Sequence, residues 1–264
     1  MRALLLFAFA SAALSAQWVN HPTPGVPKTP NGAPNLTAPT PRAADGKPDL
    51  SGMWAAENML PCDPAYGKCA DRKIGRQTQD IGSLLPGGLP FQPWAAELVR
   101  KRTAAQKKED PTAKCYFPGA PRAHAFWTYK KFVQTPGLLV VLDEFNANFR
   151  QIFTDGRSLP EDMLPTIDGY SAGHWEGDTM VVQSAGYTGE QWLDNHGSPI
   201  TEEAKITERF HRVNYGTMEI EITVNDLKAY TKPWTVKVNQ HIVLNTELID
   251  KFCMENGKAS VHMP

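Results

Sequence analysis

The chain has 264 residues, with 27 basic and 28 acidic side chains and a net charge of −1. No Lys/Arg run and no basic face is present, which excludes an electrostatic nucleic-acid binder. Beyond the N-terminal region no run of 18 apolar residues occurs, so no membrane span is expected.

Met1 to Ala16 combines one basic residue, Arg2, with the apolar run Ala3–Ala10 and then small residues. Residues 1–16 therefore read as a secretory signal peptide, with cleavage after Ala12 or Ala16 and a periplasmic or secreted destination. Residues 17–48 carry eight prolines with Gly, Asn and Thr, and read as an extended, Pro-rich linker. The remaining segment, 49–264, is about 215 residues, enough for a single β domain with a real core. It opens on Lys47–Trp54, where Gly52-Met53-Trp54 resembles the start of a lipocalin-type barrel.

Four cysteines in an exported chain imply disulfides, and three pairings are possible. Cys62–Cys69 and Cys115–Cys253 are preferred: the first closes a short loop, and the second staples the last strand to an early loop. Residues 58–91 sustain neither period. Pro93 then suits the first turn of a helix over about 93–108, with Trp94, Leu98 and Ala104/Ala105 on one face.

From Tyr129 onward the pattern is antiparallel β. Strands are expected over Lys131–Gln134, Leu138–Phe145, Phe149–Thr154, Ser171–Trp175, Met180–Ser184, Lys205–Val213, Thr217–Val224, Trp234–Leu244 and Glu247–Cys253. Met218, Ile220, Ile222 and Val224 share one face, and Glu219 and Glu221 the other. In Lys205–Val213 both faces are charged: Ile206/Glu208/Phe210/Arg212 and Thr207/Arg209/His211/Val213. At least one ionic group there faces inward or a rim, where it needs a partner or a ligand. The expected fold is mainly β, an antiparallel calycin/lipocalin-like barrel of about eight strands with one additional helix.

The segments GKPDLSGMW, KCYFPGAPR, FRQIFTDGR, GYSAGHWEGDTMVV, QWLD, ITERF, DLKAYTKPWTV and NTELIDKFCMEN resemble those of a large group of secreted bacterial proteins without an established activity. The resemblance covers most of residues 46–256 and implies an exported β-rich domain. Where that group often has Gly-His-Pro-His-Ser after WLD, this chain has Asp194-Asn195-His196-Gly197-Ser198-Pro199, so a two-His metal site is not expected.

The stretch Phe149–Thr179 holds the densest cluster of useful side chains: Arg150, Asp155, Arg157, Asp168, Tyr170, His174, Glu176 and Asp178. Arg150 and Arg157 are candidate anion-binding forks, or clamps on a local turn. His174 and Glu176 share a strand face, and Asp178 belongs to the Gly177 turn. Asp194 and His196 form an orienter-and-base pattern in a polar loop. Trp192, Trp175 and Tyr170 suit a stacking platform. Arg209 is a further candidate on its strand, and Tyr129, His124 and Arg122 are weaker ones. Neither CxxC spacing nor a His pair supports a metal, and no phosphate loop, dinucleotide fingerprint or haem motif occurs, so no cofactor is expected.

Two functions fit these residues. One is a cofactor-independent lyase, isomerase or hydrolase on a small organic or sugar-like substrate. It would use His196 or His174 as base, Asp194 as orienter, and Arg150, Arg157 or Arg209 as anion stabiliser. The other is a non-catalytic binding protein for a small hydrophobic or glycan ligand. The sequence leaves the oligomeric state open.

Overall fold

The structure, a computed structural model, describes residues 21–57, 81–105, 108–249 and 251–253. Nine strands occur among them: β1 (Gly52–Ala56), β2 (Lys130–Thr135), β3 (Leu138–Asp143), β4 (Asn148–Phe153), β5 (Tyr170–Glu176), β6 (Thr179–Ala185), β7 (Lys205–Arg212), β8 (Thr217–Asn225) and β9 (Trp234–Ile242). They pair in chain order, and β9 closes on β1. The expected mainly-β, calycin-like barrel is therefore what the chain forms, with nine strands where about eight were anticipated.

The odd count has a geometric consequence. Neighbours in a closed ring can alternate direction all the way round only if their number is even. The exception falls between β4 and β5, the parallel pair, whose register contains a single pairing, Phe153↔Ala172. Residues 154–169 carry the chain back from the end of β4 to the start of β5. They bridge to the end of β6 at Thr166↔Tyr187.

Strand alternation assigns the lumen. Trp54, Phe132, Leu139, Val141, Ile152, Met180, Val182, Ile206, Phe210, Met218, Ile220, Ile222, Val224, Val236, Val238 and Ile242 fill it, all buried in one core. The register sets Trp54 beside both Lys130 and Ile242, and Glu208 beside Val182 and Ile222. The lumen is thus a packed interior with a few charged residues let into it.

Residues 21–48 contain no helix or strand, as their prolines predict, but they are not a free linker. They strap the barrel end formed by the β5–β6 and β7–β8 turns. Arg42 forks onto Asp178, Thr40 Oγ1 donates to Arg212 O, and Tyr215 and Gly216 donate backbone N–H groups to Ala38 O and Leu36 O. Ala38 is buried. At this end the Arg212 guanidinium lies 4.9 Å from the Trp54 ring and 5.3 Å from Tyr215, and donates to backbone carbonyls of Asp49, Ser51, Asn214 and Tyr215. Folded structure therefore begins well before residue 49.

The opposite end carries the helix and the cap. Helix α1 (Pro93–Ala104) begins on Pro93, as predicted, and ends short of residue 108. Its buried contact is Ala95, not Trp94: Trp94 is 45% exposed, with its indole N–H on Lys228 O. Residues 115–126 cross over the barrel mouth, ending in a tight turn of 3-10 helix at Arg122–Ala125. The Cys115–Cys253 disulfide ties the start of this cap to the C-terminal tail. The tail, expected as a strand over Glu247–Cys253, forms no strand among its described residues and touches the barrel side through the Phe145↔Lys251 bridge. The other expected pair, Cys62–Cys69, lies outside the described residues.

The disulfide spans 138 residues, so its loss frees a long loop in the unfolded chain. A Cys115→Ser, Cys253→Ser variant is expected to lose about 2–4 kcal/mol. Urea unfolding checks this, and an unchanged midpoint would show that the cap holds without the link.

Candidate functional site

The barrel end beneath the cap is ionic. Arg150 on β4 and Glu208 on β7 lie across the lumen, each at least nine-tenths buried. The guanidinium forks onto the carboxylate: Nη1 donates to Oε1 at 3.0 Å and Nη2 to Oε2. Arg150 Nε donates to Ser171 Oγ at 3.1 Å, and Nη2 also to Ser184 Oγ at 2.9 Å. The two hydroxyls are 2.9 Å apart. From the cap, His124 Nε2 reaches Glu208 Oε1 at 2.7 Å. Gln240 Nε2 donates to His124 O, fixing the backbone of that turn.

Burial opposes charge here, and the partners decide the outcome. For Glu208 burial pushes the carboxyl up, but Arg150 and His124 outweigh it and hold it at about 2. For His124 burial pushes the imidazole down, against the pull of Glu208. A carboxylate only accepts hydrogen bonds, so the neutral His124 ring must carry its proton on Nε2. Nδ1 is then a lone pair, and it has no hydrogen-bond partner among the described residues.

A second charged pair lies beside the first. Lys130 Nζ donates to Thr128 O at 3.2 Å and stands 3.7 Å from Asp143 Oδ2. Asp143 Oδ1 accepts from Thr128 Oγ1 and from Phe145 N, each at 2.8 Å, while Oδ2 has no hydrogen-bond partner among the described residues. Burial pushes the Lys130 ammonium down, against Asp143 and Glu144. Asp168, from the β4–β5 crossover, accepts from Ala120 N at 2.9 Å and Asn148 Nδ2 at 3.1 Å; burial pushes its carboxyl up, against Arg150.

These groups enclose a cavity. His124, Lys130, Asp143, Asn148, Arg150 and Asp168 supply its polar lining, and Phe117, Ala120, Ala123 and Val141 its apolar lining. Its volume is about 20 Å³, well below an ordinary ligand pocket, so a guest has at most a very few non-hydrogen atoms. No group of three or more potential metal ligands occurs among the described residues.

The residues singled out in the sequence are distributed differently. Of them Arg150, Asp168 and the weaker candidate His124 line this cavity. Arg157 lies on the surface, where it clamps Asp155, donates to Tyr170 Oη at 3.2 Å and covers the Phe153 ring at 4.0 Å. Tyr170 stacks on Phe153 at 5.2 Å. His174 and Arg209 meet on the outside of the barrel through Glu176, at 3.3 and 2.9 Å. Trp175 packs half-buried against the core.

Asp194 does not orient the His196 ring through the contacts the structure shows. Its Oδ1 accepts the backbone N–H groups of His196 and Ser198, and its Oδ2 the Ser198 hydroxyl, so it shapes its own loop. His196 is exposed. Trp192 is buried under the Arg102 guanidinium, 4.6 Å from its ring, where α1 meets this loop. Among the described residues, His174, His196 and Asp194 therefore do not share a pocket, and Tyr170, Trp175 and Trp192 do not form one platform.

His124 was among the weaker sequence candidates, and Glu208 was marked by the charge on both faces of β7. Lys130 gave no signal, because Lys130 and Lys131 are adjacent and alternation alone does not say which faces in. No family model matches the chain, and no curated protein or solved structure matches it either.

Proposed function

We propose that this protein is an exported, cofactor-independent enzyme that performs acid–base chemistry on a small organic molecule held beneath the cap. His124 is the base and Glu208 its orienter, with Arg150 fixing Glu208. These residues replace the His196, His174 and Asp194 assignments, whose side chains lie elsewhere. One observation carries the reading: a buried, cavity-lining imidazole has one nitrogen held by a carboxylate and the other a lone pair with no partner among the described residues. Export rests on the N-terminal segment. It is supported by the Cys115–Cys253 disulfide and by the absence, among the described residues, of a helix long and apolar enough to cross a membrane.

A binding role without turnover is favoured by a different observation. Arg150 already engages Glu208, Ser171 and Ser184, which makes the wall rigid. Proton exchange at carbon separates the two. Wild-type protein in D2O, followed by NMR over a panel of small polar compounds, is expected to exchange C–H protons of at least one. His124→Gln should lower that rate by about 100-fold or more. Equal rates in both proteins would remove the acid–base reading, and binding without exchange would establish the second.

A further inference from the structure

We propose that Lys130 is a nucleophile that forms an imine with a small aldehyde or ketone in the cavity beneath the cap. This names a substrate class for the site and rests on the reading of the cavity as an acid–base centre. Lys130 is 1% exposed and lines the cavity. Its Nζ has three donor positions and makes one hydrogen bond among the described residues, to Thr128 O. Its counter-charge, Asp143, is offset at 3.7 Å, beyond hydrogen-bond distance, and keeps an oxygen unpartnered among the described residues. A lysine needed only for charge balance would dock on that carboxylate, as Arg150 does on Glu208. The groups acting on it are Asp143 from β3, Glu144 just after it, and His124 from the cap. Burial favours the neutral amine and outweighs Asp143 and Glu144, which pull toward the ammonium.

The chemistry balances without a co-reactant. The amine lone pair attacks the carbonyl carbon, forming C–N while the C=O π pair moves to oxygen. One amine proton passes to His124 and on to that oxygen, giving the carbinolamine. The C–O bond then breaks, the second N–H proton leaves with the oxygen, and the products are the imine and one water. The imine draws electrons from the adjacent carbon, whose proton becomes acidic enough for an imidazole to take. Val141, Ala120, Ala123 and Phe117, which also line the cavity, limit the carbonyl substituents to short, apolar or weakly polar groups.

Reductive trapping tests this on the unmodified protein. Acetaldehyde and cyanoborohydride at pH 7, followed by peptide mass spectrometry, are expected to place an N-ethyl group on Lys130. Lys130 should be labelled about tenfold or more faster than the exposed Lys205 and Lys232. Lys130 labelled no faster than these two, or not at all, overturns the proposal. The same labelling of His124→Gln separates the two readings. Slower labelling supports both. Equal labelling keeps Lys130 as nucleophile and removes His124 as base. If Lys130 stays unlabelled while C–H exchange still depends on His124, the imine falls and the acid–base site stands.

Discussion

Glu208→Gln is expected to destabilise the fold by about 3–5 kcal/mol, because it leaves the Arg150 cation buried without its counter-charge. Glutamine keeps the shape and one acceptor, so the loss reports charge, not volume. The cost belongs to breaking the pair. A double variant, Arg150→Met with Glu208→Leu, should recover much of it, since apolar residues of similar size fit the Val182 and Ile222 surroundings. Denaturant midpoints of the wild type and the two variants check this, and a single-variant loss near zero would mean that the pair is not formed. Acid should act like the single variant. The Glu208 carboxyl is held at about 2, below its unfolded value. Its contribution, roughly 3 kcal/mol, is therefore fully present above about pH 4.5 and lost as pH falls toward 2. Asp168, pushed up by burial, opposes this: protonating it on acidification relieves a burial cost. Net acid destabilisation that disappears in the double variant would assign the effect to the Arg150–Glu208 pair.

Gly169→Ala is expected to cost about 2–4 kcal/mol. Gly169 has φ +65, in the left-handed region, where the crossover turns into β5. A Cβ there would lie 2.7 Å from Ala185 O and 3.1 Å from the Tyr187 ring. Neither can retreat easily: Ala185 is in β6, and Tyr187 is fully buried. Gly177→Ala is the matched control. It has φ +58 but nothing within 4 Å of its Cβ, so it bears only the conformational penalty of about 1 kcal/mol. Equal losses in the two variants would mean that the crossover is not pressed against the end of β6. The comparison addresses the weakest join of the barrel, where β4 and β5 share one pairing.

Much of this was legible in the chain. The alternation of Met218, Ile220, Ile222 and Val224 against Glu219 and Glu221 placed β8 correctly, and the Gly177 turn placed the β5–β6 hairpin. Charge on both faces of Lys205–Val213 announced an ionic group inside the lumen, which is Glu208. Arg150 stood out for its company in the Phe149–Thr179 stretch, but that company scattered. Alternation sends Tyr170, His174 and Glu176 outward, and Arg150 and Ser171 inward. The pairing of Asp194 with His196 failed for a local reason: an Asp two residues before a backbone N–H forms an Asx turn more readily than it reaches a side chain. His124 could not be promoted because its value depends on Glu208, 84 positions away. Its own neighbourhood is a Pro-rich loop without periodicity. The strap was misjudged because proline-rich composition reports the lack of regular hydrogen bonding, not the lack of packing.

The protonation state of His124 tests the central claim most directly. In two-bond 1H–15N spectra of the folded protein, His124 is expected to be neutral at pH 7, protonated on Nε2 with a bare Nδ1. It should stay neutral to lower pH than an ordinary imidazole, which titrates near 6.5. An imidazolium at pH 7, or the proton on Nδ1, would contradict the account, because His124 would then have no lone pair to offer a guest beneath the cap.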